Sequence, residues 1–583
     1  MLRNLAWLLF ILILITALFW FLPRYDDFGT QDQLFAYFST DLLVHHGPSH
    51  IPFGALTRPG SLLNVPVLAL GGSLYGMGVL YVLVALGAGP VFFIGWFGAK
   101  LNSGAQALFF YSWFFPVSLS LGLLAGAINF TWILDYYTVP IIFMLYALGF
   151  YAWSARMNAL KTSYGLAILS GFFFSISAMG NLAMMPGLFL MGILLAGLYW
   201  HKKTWVYLLS FVLSLSFFLW AYLIHWGLFQ RFLDGVLTQW EPGASAHSLV
   251  SIQLMFLAGY LFLALLVLVF LMIFRAVISF AEAKKRYFIF RFLFLLSFFG
   301  LVLGNFSFVL ICINPWLLFI WMLSCSLGFF FSIFYLINKN FFVEKKLRRD
   351  LALILIFLGL IILNRVISRG SYIFSLYEPL LLLWFVGFSD QEDFFKNNFF
   401  LKNIIFAGVV LIILSSAKNL IVPSYFSGTL WDKPYWISQN NTYSKAWTVK
   451  IPKKDAQVFE KYLKLYQQNH CDQKGFLAFD ALVPMYSMVH RIPPYDQAWM
   501  DEGLLYPVDR YGTGDYLLKY LKNRKTGWCV IYREGSGFAP LEKNLGRDQV
   551  FNYLIDNKKD LYFLGSFSVG PDPKVFMFVG PKN

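Results

Sequence analysis

The stretch LAWLLFILILITALFWFLPRYDD, Leu5 to Asp27, decides how the rest of the chain is read. An unbroken apolar run from Leu5 to Leu22 stops at Pro23, and two adjacent carboxylates, Asp26 and Asp27, follow almost at once. A helix of that length crosses most of a hydrocarbon core about 30 Å thick, so the carboxylates emerge where the chain leaves a membrane. Charge so close to hydrocarbon costs several kcal/mol unless it is paired, metal-bound or poised to take a proton. A short basic start followed by an apolar run resembles a signal peptide, yet no small-x-small cleavage site precedes Pro23, which makes this an uncleaved helix.

Composition extends that reading to the whole chain. Of 583 residues, 59% are hydrophobic, 20% aromatic and only 13% charged, which would leave large apolar areas facing water in a soluble protein. The net charge of +15 could point to nucleic acid, but the Lys and Arg fall mainly in short loops between apolar runs. They read as an orientation signal, with no nucleic-acid partner.

Those loops set a topology. Arg3, Lys100, Arg156 with Lys161, Lys202 with Lys203, Lys284-Lys285-Arg286, and Lys345-Lys346 with Arg348-Arg349 lie between successive pairs of apolar segments, as the positive-inside rule asks of cytoplasmic loops. The spans fall at roughly 5–22, 78–98, 104–122, 136–154, 164–181, 184–200, 204–225, 251–274, 287–305, 309–336, 350–364, 371–389 and 401–420. The segment at 309–336 is long and contains Pro315, so a kinked span or a re-entrant piece is expected there. About thirteen spans put the N-terminus in the cytoplasm and everything after Leu420 on the other side.

The expected architecture is a polytopic α-helical membrane module over 1–420 with an extracytoplasmic α/β domain over 421–583. Within the first, the outer loop 23–77 carries Asp26, Asp27, Asp32, Asp41, His45, His46, His50 and Arg58. It continues into an apolar stretch, Ser61 to Leu74, too broken by Pro66 and Gly71-Gly72 for a span and suited to helices lying in the interface. A second outer segment, Phe229 to His247 with Arg231, Asp234, Trp240 and Glu241, has an amphipathic look and suits an interfacial anchor or the lining of an acceptor path. In the C-terminal domain a helical pattern over Asp455–Gln468 alternates with β-type runs at Gly475–Phe479, Trp528–Tyr532, Leu561–Ser568 and Val575–Val579. Two of the four cysteines, Cys471 and Cys529, belong to this domain. An oxidising compartment would allow them to pair, and the alternative of two thiols stays open.

With these features in hand, the chain resembles the type-C glycosyltransferases, polytopic enzymes that use lipid-linked sugars. The layout is most similar to the branch holding the protein O-mannosyltransferases and the bacterial aminoarabinose transferase of lipid A. Asp26-Asp27 stands where that branch places its first-loop acidic motif, although the mannosyltransferase motif has Glu where this chain has Asp27. Asp135, in NFTWILDYYTVP from Asn129 to Pro140, resembles the second-loop acid before the fourth span. Arg369-Gly-Ser-Tyr372 through Glu378-Pro379 is similar to a late outer segment with an Arg-Tyr pair and a proline, and Thr57-Arg58-Pro59-Gly60 also fits the layout. The resemblance implies a bacterial inner-membrane hexosyl- or pentosyltransferase, its donor a polyprenyl-phosphate sugar and its acceptor a lipid, glycan or protein.

The chemistry asks for a base at the acceptor and cations at the leaving phosphate. A carboxylate at the water–membrane boundary can take the acceptor proton, and a second can orient the acceptor or hold a divalent cation. Asp26 or Asp27 is the expected base and Asp135 the supporting acid; Asp27 and Asp135 would also be the ligands of Mg2+ or Mn2+, if either binds. Arg58, Arg365, Arg369 and Lys418, near outer helix ends, are the candidates for the phosphate, although basic residues at such positions also snorkel to headgroups. His45, His46 and Tyr372 are placed on the acceptor side; the adjacent histidines have no Cys or second His cluster to complete a tetrahedral metal set.

A phosphate loop of the GxxxxGK[ST] type, a dinucleotide fingerprint and a CxxC motif are all missing from the sequence, which removes support for ATP-driven transport and nucleotide-sugar chemistry. A lipid-linked saccharide flippase or transporter would place ionisable residues near the midplane of its spans. A polysaccharide polymerase or ligase would carry its large outer loop inside the span series. These two classes, and a non-catalytic scaffold, are the rivals.

Overall fold

The computed structural model describes residues 7–14 in part, 32–51, 59–97 except 73, 119, 133–135, 138–182, 185–233 except 199, 434–436, 450–478, 483–492 except 490, 513–533, 545–566 and 574–581. Most of the first and third spans and everything expected between 251 and 420 lie outside the described residues, as does most of the segment 229–247.

The described part of the membrane module is helical. Helix α1 covers Asp32–His46; 3₁₀ turns at Pro48–His50 and Pro59–Asn64 follow, and α2 is a short helix, Val65–Ala69. The longer helices are α3 (Leu74–Phe97), α4 (Thr138–Arg156), α5 (Leu160–Gly180), α6 (Met185–Leu198) and α7 (Thr204–Leu219), the last continued by a π-helical turn over Trp220–His225. Three stretches, Thr138–Arg156, Leu160–Gly180 and Thr204–His225, are long and apolar enough to cross a membrane. Their outward faces stay apolar: Ile168, Leu169, Phe172, Leu209, Leu213 and Phe217 are exposed side chains that water would penalise and lipid would not.

What holds these helices together is suited to lipid. Hydroxyls reach across to neighbouring backbones: Ser170 donates to the Ala147 carbonyl at 2.7 Å, Ser175 to Phe211 at 2.8 Å and Tyr146 to Val84 at 2.7 Å. Glycines let backbones touch; a Cβ on Gly171 of α5 would lie 2.5 Å from the Tyr207 carbonyl oxygen of α7. With tails as apolar as leucine outside, such close packing and polar ties replace the hydrophobic drive between helices.

The C-terminal region forms a small α/β unit. A two-stranded ribbon pairs β1 (Pro434–Trp436) with β2 (Lys450–Pro452), and helix α8 (Lys453–Gln468) follows. The main sheet has the order β3-β4-β6-β5, from β3 (Gly475–Ala478), β4 (Trp528–Arg533), β5 (Asp560–Ser566) and β6 (Lys574–Val579). β3 and β4 run parallel, and the other two pairings are antiparallel. Helices α9 (Val483–Met488), α10 (Thr513–Lys522) and α11 (Leu545–Asn557) complete it. The pleat sends Phe476, Cys529, Ile531 and Met577 to the core shared with Val458 and Tyr462 of α8, and Leu477, Trp528, Val530 and Phe578 to the core shared with Leu521, Val550 and Leu554. Helices therefore cover both faces of the sheet, which is why its strands read as nearly continuous apolar runs. All four expected strands and the expected helix occur within two residues of their sequence bounds.

Cys471 and Cys529 form a disulfide, Cα to Cα 5.8 Å, tying the turn after α8 to the middle of the sheet across a separation of 58 residues. The two parts of the chain also meet. Tyr486 of α9 accepts a hydrogen bond from the Ala478 N–H at 2.8 Å, and its ring lies 6.2 Å from that of Phe38 in α1.

Candidate functional site

The site is assembled at one end of the helical bundle, beginning with the start of α4. Asp135 is fully buried and caps that helix: its Oδ1 accepts the Thr138 N–H at 2.8 Å, while its own N–H donates to Thr138 Oγ1 at 3.0 Å. A carboxylate suits this place because it satisfies an orphan donor and faces the positive end of the helix dipole. Pro140 in the first turn loses no intrahelical bond.

The outer loop folds down onto this cap. A Cβ on Gly60 would sit 2.8 Å from the Gly180 carbonyl oxygen and 2.9 Å from that of Asp135, so only glycine lets the loop come between α4 and α5. Asn64 Nδ2 donates to the carbonyl of Leu134 at 2.6 Å and of Ser61 at 2.9 Å, and Thr40 of α1 donates to the same Ser61 carbonyl at 3.1 Å. Thr40, Ser61, Asn64, Asp135 and Thr138 are buried, with Asp41 beside them at 3% exposure. Buried polar groups at such density are maintained only by mutual hydrogen bonding, and here the bonds join segments from separated parts of the chain.

Two further groups flank the cluster. His45 Nδ1 lies 3.0 Å from the Asp41 carboxylate, within the same helix, and the rings of His46 and His50 approach to 6.2 Å. Burial, and then the Asp41 charge, push the Tyr37 phenol well above its ordinary range, so it stays a neutral hydroxyl there. From the far side Arg231, just after α7, donates to the backbone carbonyls of Ser49 at 2.8 Å and Ile51 at 2.9 Å. The 229–233 stretch thus meets the turn that follows α1.

Of the residues singled out in the sequence, the structure brings Asp135, His45 and His46 to this end of the bundle. Asp26, Asp27, Arg58, Arg365, Arg369, Tyr372 and Lys418 lie outside the described residues. Asp41, Asn64, Gly60 and Thr40 were not assigned roles from sequence. Gly60 had a signal, its place in Thr57-Arg58-Pro59-Gly60; Asn64 had none, since nothing local says that it will meet Leu134.

Of the two expected ligands of a divalent cation, Asp27 lies outside the described residues and Asp135 is the helix cap described above. One carboxylate oxygen is engaged in the helix cap, and among the described residues no three of His, Cys, Asp or Glu converge as a cation site. No protein-family model matches the chain, and no curated protein matches it.

Proposed function

We propose that the chain is a membrane glycosyltransferase of about thirteen spans that moves a hexose or pentose from a polyprenyl-phosphate carrier to an acceptor at the outer face of the bacterial inner membrane. The observation that carries this reading is the buried polar cluster joining Thr40, Ser61, Asn64 and Asp135 at one end of otherwise apolar helices. Helices α4 to α7 contain no Asp, Glu, Lys or Arg between Arg156, Lys161 and their other ends, which favours an end-on site over a midplane transport path. A disulfide in the C-terminal unit fits an oxidising compartment, and the contact of α9 with α1 fits that unit lying on the same side as the first loop.

In the reaction, the acceptor oxygen bonds to the anomeric carbon as the bond from that carbon to the phosphate oxygen breaks, the electron pair leaving with the phosphate. Asp26 or Asp27 takes the acceptor proton. Arg58, Arg365, Arg369 and Lys418 are the groups assigned to the leaving phosphate, with Tyr372, His45 and His46 on the acceptor side. Asp135 acts from beneath, as the residue that fixes the start of α4 and the loop resting on it.

The test is transfer from radiolabelled polyprenyl-phosphate sugars by protein in lipid nanodiscs. The combined Asp26→Asn and Asp27→Asn variant should lose at least about a hundredfold in rate, the ordinary contribution of a positioned base. Asp135→Asn should lose much less, because asparagine caps a helix about as well as aspartate. Full activity in the double variant would remove the catalytic assignment.

A further inference from the structure

We propose that the C-terminal unit carries a docking surface for a linear phosphate-bearing polymer, a phosphodiester-linked glycan or polyol chain, at the end of its main sheet where β3, β4 and β5 begin. This surface goes beyond the transferase reading and does not depend on it.

The topology gathers the cations. β3 runs parallel to β4, and β6 is antiparallel to both β4 and β5, so β3, β4 and β5 all start at one end. Lys474 immediately precedes β3, Arg524 and Lys525 lie in the turn that enters β4, and Lys558-Lys559 lead into β5. Backbone bonds tie these entries together: the Gly475 N–H donates to the Gly527 carbonyl at 3.1 Å, that of Lys559 to Val579 at 2.8 Å and that of Gly580 to Trp528 at 2.8 Å. Adjacent strands lie about 4.8 Å apart, so the row across four strands is about 14 Å long. One phosphate could not span it, whereas charges repeated along a chain could.

Part of this charge serves the fold. Lys522 lies in the last turn of α10, and Lys558 Nζ donates to the Ile555 carbonyl at 2.8 Å; both are places where a cation meets the negative end of a helix. Arg524, Lys525 and Lys559 lie beyond those helix ends and are exposed. Among the described residues none of these three is in an ion pair, although Asp556 and Asp560 stand near them in sequence. The Arg524 guanidinium lies over the Tyr520 ring, 4.4 Å from its centre. A guanidinium stacked in this way is held in one plane and keeps N–H edges for a phosphate.

A bilayer and a nucleic acid fit this end less well. Helix α1 meets the unit through Tyr486, which is bonded to Ala478, the last residue of β3, so the helical bundle adjoins the opposite end of that strand. Single-stranded nucleic acid is held by bases stacked on open aromatic faces. Here Arg524 overlies Tyr520, and Lys522 lies 5.5 Å from the centre of the Tyr553 ring.

The test uses the full-length chain in phosphatidylcholine nanodiscs, with fluorescent linear polyphosphate as the probe. Arg524→Gln combined with Lys525→Gln is compared with Lys461→Gln combined with Lys574→Gln. Lys461 and Lys574 are exposed beside Phe563 in the middle of β5 and opposite Ser566 at the other end of the sheet, so each pair removes two charges. Wild-type binding should weaken as salt rises. The first pair should weaken it by about tenfold and lower the slope of log K against log salt by about 1.4, roughly 0.7 for each cation lost. The second pair should bind as the wild type does. Should thermal unfolding show that the first pair has lost its fold, Lys559→Gln alone should still lower the slope by about 0.7. Absence of binding by the wild type, or equal loss in both pairs, would overturn the proposal. So would displacement of the probe by phosphatidylglycerol vesicles, which would make the surface a bilayer contact, or tighter binding of oligothymidylate, which would make it a nucleic-acid site. None of these results touches the transferase, whose test is transfer itself.

Discussion

His201 shows how a single side chain at the opposite end of the bundle couples packing to pH. Its Nδ1 accepts the Lys203 N–H at 3.2 Å, its own backbone N–H donates to Thr204 Oγ1 at 2.8 Å, and its ring lies 4.9 Å from that of Tyr151. Lys203 itself reaches the carbonyls of Ser154 and Met157, satisfying the open end of α4. Burial, and then the Lys203 charge, lower the His201 imidazole from 6.5 to about 4. The sign follows from proton counting: between pH 6.5 and 4 the unfolded chain binds a proton that the folded chain does not, so stability falls as pH falls through that window. Thermal unfolding across pH 7 to 4 should show a steeper loss for wild type than for His201→Gln; equal slopes would mean that the ring is not held neutral.

At the scale of elements, the decisive contacts are those where two helices share one position. A Cβ on Gly149 of α4 would lie 2.5 Å from the Val91 carbonyl oxygen and 2.7 Å from Phe92 Cα in α3, and Gly95 meets Gly149 itself from the other side. Backbone cannot give way there as a side-chain tip can, so Gly149→Ala should cost the folded, monodisperse protein on size exclusion. Around Gly165 in α5 a methyl group would meet nothing within 4 Å, and Gly165→Ala should instead stabilise by up to about 1 kcal/mol through helix propensity. Equal behaviour of the two variants would show that α3 and α4 are not in contact at Gly149. Sequence reading found the apolar helices because their composition leaves few alternatives; the span expected at 136–154 is Thr138–Arg156, and that at 204–225 is α7 with its π turn. It did not find α1, because Ser39-Thr40-Asp41 and His45-His46 look like loop chemistry. The structure buries that polar triplet against the 59–64 turn, where tertiary hydrogen bonds outweigh local preference. Helices α10 and α11 went unassigned as well, and their apolar faces are recognisable only once the sheet they cover is known. Asp135 was legible as a candidate from its place before a span; its role as a cap required the Thr138 geometry.

Across the whole molecule the two ends of the bundle differ in charge and in partners. Asp41, Asp135, Gly180, Arg231 and the first loop gather at one end, whereas Arg156, Met157, His201, Lys202 and Lys203 gather at the other. The second set holds the clustered basic residues that the positive-inside rule would assign to the cytoplasm, and the topology proposed above accordingly puts the polar cluster and the C-terminal unit resting on α1 outside. That orientation is testable without knowing any substrate. Ser49 and Lys161 are both exposed, at opposite ends, and each can be replaced by cysteine after Cys312 and Cys325 are changed to alanine, the Cys471–Cys529 disulfide being left intact. A membrane-impermeant maleimide added to spheroplasts should label Ser49→Cys and leave Lys161→Cys untouched until the membrane is opened. The reverse pattern would invert the protein and put its polar cluster on the cytoplasmic side. Equal labelling of both before lysis would mean that the helices joining them do not separate two compartments, and the bundle could then not be a membrane module at all.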